Sequence, residues 1–344
     1  MDNNLGLTSA IMSMRTLSIV VPAFNEMEVL PVFHERLVTV LAALPLRAEV
    51  IYVNDGSTDD TLALLRRMCS QDERIAIVSL TRNFGKEIAL SAGLDHANGD
   101  AVVVIDADLQ DPPELIPELI SRWEAGYDVV FAQRSARDGE GPFKKLTAFL
   151  FYRLMQGVGK VRIPPDTGDF RLLSRRAVAA LRQLHEQHRF MKGLFAWIGY
   201  PQIAVRYRRD PRYAGNTKWN FARLLDLAIE GITSFTTAPL KMATYIGLTT
   251  ALAAFLYAGY IIYKTLVHGD PVRGYPSLMV VMLFLGGVQL ITIGIIGEYL
   301  GRMFDETKGR PLYLVEEYRP ASHPGIANGD QATSLAGNSA DMQG

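Results

Sequence analysis

Two uncharged apolar stretches near the C-terminal end constrain this chain more than any other feature: Met242–Tyr263, 22 residues, and Leu278–Gly297, 20 residues. At about 1.5 Å rise per residue, each makes a helix of about 30 Å, the thickness of a bilayer's hydrocarbon core. A soluble helix of that length would carry a polar stripe. Between them, His268–Ser277 contains Gly269, Pro271, Gly274 and Pro276, all helix breakers. The pattern predicts a transmembrane hairpin over 239–302, with spans at about 242–265 and 277–300. Lys241 precedes the first span, and Arg302, Lys308 and Arg310 follow the second, while the turn offers only Arg273 beyond Lys264. By the positive-inside rule both termini are expected to face the cytoplasm. Tyr263, Tyr275 and Tyr299 sit at the span ends as interfacial aromatics, and Gly287, Gly294, Gly297 and Gly301 give the second span a small-residue face suited to helix packing.

The net charge of −1 over 344 residues conceals a partition. Residues 1–133 carry 9 basic and 20 acidic side chains, whereas 134–218 carry 18 basic and 6 acidic. A basic block next to membrane spans suits an anionic lipid surface better than nucleic acid, for which no recognition motif is present. Cys69 is the single cysteine, which excludes a disulfide framework and fits a reducing compartment. Residues 1–15 lack the basic start and apolar run of a signal peptide and are expected to be flexible. The Ala-, Ser-, Gly- and Asn-rich 319–344 reads as a disordered tail after a cytoplasmic segment at 303–318.

The block at 16–219 alternates strand and helix signals. Short apolar runs at 16–22, 49–54, 74–80, 101–106 and 128–133 read as buried strands, with helices at about 28–44, 59–70 and 86–97 between them. This predicts an α/β domain with a mostly parallel sheet covered on both faces, whose ligands bind beyond the carboxyl ends of the strands. Polar residues gather there: Asn25 and Glu26, Asp55, Asp106 and Asp108, and Arg134. No Gly-x-Gly-x-x-Gly follows the first strand, and no P-loop occurs anywhere. Instead Asp106 and Asp108, two apart in an extended segment, project to one side, with Gln110 two further on. Hard oxygen donors of this kind suit Mg²⁺ or Mn²⁺ carrying a diphosphate.

Four segments, Val21–Glu26 (VPAFNE), Val53–Asp59 (VNDGSTD), Asp106–Pro113 (DADLQDPP) and Thr167–Arg171 (TGDFR), resemble the inverting nucleotide-sugar glycosyltransferases of family 2, which have a GT-A fold. Further segments, Arg82–Glu87 (RNFGKE), Phe190–Gly193 (FMKG), Ala214–Lys218 (AGNTK), Glu230–Phe235 (EGITSF), Pro271–Ser277 (PVRGYPS) and Gly297–Arg302 (GEYLGR), are similar to the bactoprenol glucosyltransferases of O-antigen modification. The match covers roughly 16–318, both spans included.

The resemblance implies roles. Asp55 would accept a hydrogen bond from the nucleotide base, framed by Pro22, Phe24 and Glu26; Asp106 would face the ribose and metal, and Asp108 would be the main metal ligand, with Gln110 able to add a donor. Arg134 and Lys86 would meet the diphosphate, and Asp169 would be the catalytic carboxylate. An alcohol acceptor needs a base, but a phosphate monoester with a second pKa of about 6 does not, so Asp169 could instead orient the acceptor. Arg209, Arg212 and Lys218 match the family's lipid-phosphate segment. Residues 143–158 and 220–238 read as amphipathic helices on the membrane surface, with core helices as the alternative.

The expected partners are a UDP-sugar, polyprenyl phosphate and a membrane, with a homo-oligomer, a tetramer by family resemblance. The expected reaction is glucose transfer from UDP-glucose to undecaprenyl phosphate with inversion. The same chemistry with GDP-mannose or a UDP-aminoarabinose donor, or a non-catalytic scaffold or flippase subunit, stands as the alternative. A processive synthase is disfavoured, because Gln187–Phe190 does not supply Gln-x-x-Arg-Trp and two spans cannot form a polymer channel.

Overall fold

The computed structural model describes residues 15–135, 164, 167–207, 238–268 and 274–322. The amphipathic segments at 143–158 and 220–235, and Arg209, Arg212 and Lys218, lie outside the described residues.

The apolar runs form the strands β1 (Thr16–Ala23), β2 (Arg47–Asn54), β3 (Ile75–Leu80), β4 (Ala101–Val104) and β5 (Val129–Arg134). Three further strands are β6 (Thr167–Ser174), β7 (Gln202–Tyr207) and β8 (Val315–Arg319). All eight join one sheet in the order β7-β5-β6-β4-β1-β2-β3-β8. The central block β4-β1-β2-β3 is parallel, as is β5 with β7. By contrast β6 runs antiparallel to both β4 and β5, and β8 antiparallel to β3.

Side chains alternate between two cores, as the two-residue period of a strand requires. Leu17, Ile19 and Val21 face one core with Val103, while Val20 faces the other with Val102 and Val104. The first core is closed by helices α1 (Leu30–Ala42), α2 (Thr61–Gln71) and α4 (Ile116–Glu124). In α1 the buried positions are Leu30, Phe33, Leu37 and Leu41, one face of a helix, with Pro31 in its first turn. The second core is closed by α3 (Lys86–His96), α5 (Arg175–Arg182) and α6 (Met191–Trp197). Gly93 lets α3 lie close on the sheet: a Cβ there would stand 2.2 Å from Val20 Cγ1. Ser174 caps α5, its Oγ accepting from Ala177 N–H at 3.2 Å.

The hairpin is built from α7 (Ala238–His268) and α8 (Tyr275–Thr307), which pack on one another. Both are long and apolar enough to cross a membrane, over Pro239–Ile261 and Val280–Thr307. Leu252, Phe255 and Leu256 stand more than half exposed on the chain's own surface, an apolar area that lipid would cover. The second helix runs past the expected end at 300 and docks on the α/β domain. Gln187 donates its backbone N–H to Glu306 Oε1 at 2.8 Å and its side-chain amide to the Arg310 carbonyl at 2.5 Å.

After α8 the chain returns as β8 and extends the sheet beside β3. Thr81 N–H donates to the Leu314 carbonyl at 3.0 Å, Tyr313 Oη to Asp95 at 2.9 Å, and Arg66 to Glu317 at 2.5 Å. Disorder expected from 319 does not begin there. Arg319 belongs to β8, Ala321 packs on the second core, and Ser322 N–H bonds the Glu73 carbonyl at 2.9 Å. Strand pairing and core contact supply the order that the tail's composition does not advertise.

Candidate active site

The loops after β1 and β2 are laced together at the carboxyl end of the sheet. Asn25 takes a left-handed backbone, φ 56°, which asparagine tolerates better than most residues. Its Oδ1 accepts from Thr58 N–H at 2.8 Å, while its own N–H donates to Ser57 Oγ at 3.0 Å. Glu26 N–H donates to Thr61 Oγ1 at 3.0 Å. Pro22 pairs with Val53 across β1 and β2, and the Phe24 ring is 42% exposed beside these loops, an available stacking surface.

Asp55 is buried, and its carboxylate accepts the backbone N–H groups of Phe84 at 2.7 Å and Gly85 at 3.0 Å. Burial raises its pKa, and these two bonds and Arg82 pull the other way. Gly56 completes the latch. With φ 62°, it presses against the same loop, and a Cβ would lie 2.3 Å from the Arg82 carbonyl carbon. The residue read from sequence as a base contact therefore also holds the loop that delivers Lys86.

Strand β4 ends at Val104, so Asp106 and Asp108 lie just beyond it. Asp106, Asp108 and Gln110 are half-buried, while Ala107, Leu109 and Asp111 between and after them are buried. The turn is tight: Leu109 is left-handed at φ 59°, and Gln110 N–H donates to Asp108 Oδ1 at 3.1 Å. A left-handed leucine is strained backbone, of the kind that collects at functional loops.

The antiparallel course of β6 brings Asp169 here. Its register pairs Val104 with Arg171, and continuing that register by two residues sets Asp106 opposite Asp169. Lys86, opening α3, bridges them, with Nζ 2.7 Å from Asp106 Oδ2 and 2.6 Å from Asp169 Oδ2. Desolvation lowers the Lys86 pKa, but the two carboxylates outweigh it and the net shift is upward. Lys86, expected from the sequence near the diphosphate, thus bridges two carboxylates at the carboxyl end of the sheet.

Asp169 does not pair with the Arg171 guanidinium through its carboxylate. Arg171 donates instead to the main-chain carbonyls of Gly168, at 2.8 Å, and Asp169, at 3.3 Å, and stacks over the Phe195 ring at 3.7 Å. Burial pulls Arg171 down to about 10. Burial alone would raise Asp169, yet Lys86 and Lys192, aided by Arg171, hold it well below the usual carboxylate range.

Arg134 ends β5 beside Gly168, where a Cβ would stand 3.6 Å from Nη2, and it bonds Tyr207. Tyr207 Oη donates to Asp111, a buried carboxylate of the Asp106–Pro113 segment. This ties the loop after β4 to the end of β7, where the basic segment begins. Sequence reasoning missed Asp111, Tyr207, Glu87 and Lys192. For Asp111 a signal existed, since its odd spacing from Asp106 and Asp108 turns it inward.

Among the described residues no three His, Cys, Asp or Glu side chains form a closed metal cage. The half-buried carboxylates of Asp106 and Asp108 nevertheless offer hard oxygen donors that suit Mg²⁺ or Mn²⁺, which commonly takes one or two carboxylates and completes its shell with substrate phosphates and water. The donor set fits a cation that arrives with a diphosphate.

Comparison with known proteins gives a consistent set of relatives. Glycosyl transferase family 2 matches residues 18–182, and the GtrB C-terminal hairpin matches 238–303. An uncharacterised glycosyltransferase of Synechocystis sp. is 54% identical over 301 residues, 88% of this chain and 95% of that one. A prophage-derived bactoprenol glucosyl transferase of Shigella flexneri is 50% identical over 301 residues, 88% of this chain and 97% of that one. A glucosyl-3-phosphoglycerate synthase of Mycobacterium tuberculosis, crystallised with Mn²⁺ and UDP-glucose, is 24% identical with a TM-score of 0.43, covering 64% of this chain and 78% of that one.

Proposed function

The chain belongs to glycosyl transferase family 2, with a GT-A catalytic domain joined to a membrane hairpin, and on that premise we propose that it transfers glucose from UDP-glucose to undecaprenyl phosphate. The product would be a lipid-linked glucose for modification of O-antigen or another cell-surface glycan. The observation that carries this reading is the Lys86 bridge, which gathers Asp106 from the donor loop and Asp169 from β6 around one ammonium. Similarity to bactoprenol glucosyl transferases over most of the chain supports the sugar and the lipid.

Pro22, Phe24, Glu26 and Asp55 would receive the nucleoside. Asp106 and Asp108, with Gln110 as a further donor, would hold Mg²⁺ or Mn²⁺, which offsets diphosphate charge when bound. Arg134 would add a guanidinium towards the diphosphate, and Arg209, Arg212 and Lys218 would hold the acceptor phosphate. A carboxylate held as low as Asp169 is a weak base at neutral pH. The lipid phosphate is already largely ionised there, so Asp169 serves best as the group that orients Lys86 and the acceptor. In-line attack by a phosphate oxygen on the anomeric carbon breaks its bond to UDP and inverts configuration in one displacement. The flanking charges support a reading in which both termini and the catalytic domain face the cytoplasm at a bacterial inner membrane, and the open glycine face of α8 suits a homo-oligomer, tetrameric by resemblance.

The test is a donor screen on the purified full chain with undecaprenyl phosphate and Mg²⁺, following label from UDP-glucose, UDP-galactose, UDP-GlcNAc or GDP-mannose into the organic phase. Selective, EDTA-sensitive transfer from UDP-glucose is the expected result. Selective transfer from another donor overturns the sugar, and no transfer by folded protein from any of the four overturns the UDP-glucose reading.

A further inference from the structure

The phenol of Tyr207 stands where three parts of the cleft meet, yet it has no role in the transfer as described. Its Oη donates to Asp111 Oδ1, and both side chains are buried, Asp111 to 1% exposure. Its ring meets Phe170 edge-on, with centroids 6.4 Å apart and planes at 88°, and Phe170 follows Asp169 on β6. In the parallel pairing of β5 with β7, Tyr207 stands opposite Arg134. Its carbonyl accepts the N–H and the Oγ of Ser135, at 2.9 and 3.0 Å. Gly168 completes the group: a Cβ there would lie 3.6 Å from Arg134 Nη2 and 3.9 Å from Asp111 Oδ2. The loop after β4, the end of β5 and the strand of Asp169 are thus gathered at one phenol.

What the loop after β4 needs from this phenol follows from its backbone. Asp106 and Asp108 precede Leu109, left-handed at φ 59°, a conformation that a β-carbon makes costly. Such a residue persists only where its surroundings hold it from both sides. On the near side the loop grows out of β4, which lies inside the sheet between β6 and β1. On the far side Asp111 is buried two residues after Leu109, and Tyr207 hydrogen-bonds its carboxylate from 96 residues further along the chain. Hydrogen bonds to an ionised acceptor are the strong ones. Burial and the charge of Asp111 push the Tyr207 phenol up, so the hydroxyl keeps its proton and goes on donating at neutral pH. We propose that Tyr207 is a positioning residue for the cation carboxylates: by anchoring Asp111 it fixes the turn that presents Asp106 and Asp108 to Mg²⁺ or Mn²⁺. The same side chain, standing beside Arg134, keeps that turn and the guanidinium at a set spacing.

This inference rests on the reading of Asp106 and Asp108 as cation ligands, so its test measures binding and needs no turnover. UDP is titrated by calorimetry into the full-length protein in detergent, once with Mn²⁺ and once with EDTA. The ratio of the two affinities is the gain that the cation confers. Tyr207→Phe keeps the ring on Phe170 and removes only the hydroxyl. It should lower the gain about tenfold or more, the usual loss when a group supporting a metal ligand is removed, while the affinity in EDTA stays within twofold of the parent. An unchanged gain overturns the proposal. Equal losses with and without Mn²⁺ overturn it too, since a general disturbance of the fold would give that result. If the variant does not fold, Tyr207→Phe combined with Asp111→Leu removes donor and acceptor together, an exchange that is nearly neutral for stability, and it should show the same loss of gain. A parent protein that gains nothing from Mn²⁺ overturns the cation assignment itself and the role of Tyr207 with it; a parent that gains and a variant that matches it overturn Tyr207 alone.

Discussion

Replacing Asp55 by Asn tests whether this carboxylate holds the loop that carries Lys86. Asp55 accepts two backbone N–H groups, from Phe84 at 2.7 Å and Gly85 at 3.0 Å. Hydrogen bonds to a charged acceptor contribute about 1.5–3 kcal/mol each. Asparagine retains one oxygen but turns an amide donor towards the second N–H, so one bond is lost and two donors are opposed. The local cost is about 2–3 kcal/mol, and at about 1.4 kcal/mol per tenfold the Phe84 and Gly85 amides should exchange about 30- to 150-fold faster. Hydrogen–deuterium exchange on a peptide spanning 81–90, with the protein in detergent or nanodiscs, reads this directly. The turnover number should fall together with protection, because Lys86 follows the latched residues immediately. A variant with exchange within threefold of the parent and only a raised KM for UDP-glucose would refute the reasoning and leave Asp55 as a base contact alone.

Lys86→Met removes the ammonium that Asp106 and Asp169 share, and glycosyl transfer should fall at least about 100-fold with the fold retained; transfer within threefold of the parent would sink the assigned bridge. Gly93→Ala would put a methyl 2.2 Å from Val20 Cγ1 and 3.0 Å from Val53 Cγ2, so overpacking should cost about 1–3 kcal/mol and lower the melting temperature. Asp128 is held below the ordinary carboxylate range by its bonds to Arg176, and Ser174 adds a further bond. A depressed carboxyl stabilises the fold above its unfolded pKa of about 3.9 and loses that contribution as pH falls through the folded value. Melting temperature measured against pH should therefore drop less steeply below about pH 4 in Asp128→Asn than in the parent.

Local periodicity made much of the scaffold legible. The apolar runs became β1 to β5 with ends displaced by one or two residues, and the two uncharged stretches became α7 and α8. The end of the fourth apolar run was legible too, which put Asp106 and Asp108 just beyond a strand, although the tight turn they occupy, with Leu109 left-handed, was not. Strand β6 escaped notice since its Thr, Asp and Arg interrupt the apolar pattern, although all eight residues are buried. Strand β8 escaped too, its five residues being mostly charged and its place depending on the free edge of β3.

The sequence by itself determined the class of domain, the hairpin and the carboxylate loop, since hydropathy and spacing act within a few residues. Tertiary structure alone decided that Asp169 comes to Asp106 and that Lys86 joins them. The first follows from the direction and register of β6 against β4, and the second from where α3 begins, 20 residues before Asp106 and 83 before Asp169. No local pattern encodes that pairing, and the burial that sets each charge exists only once the sheet has closed.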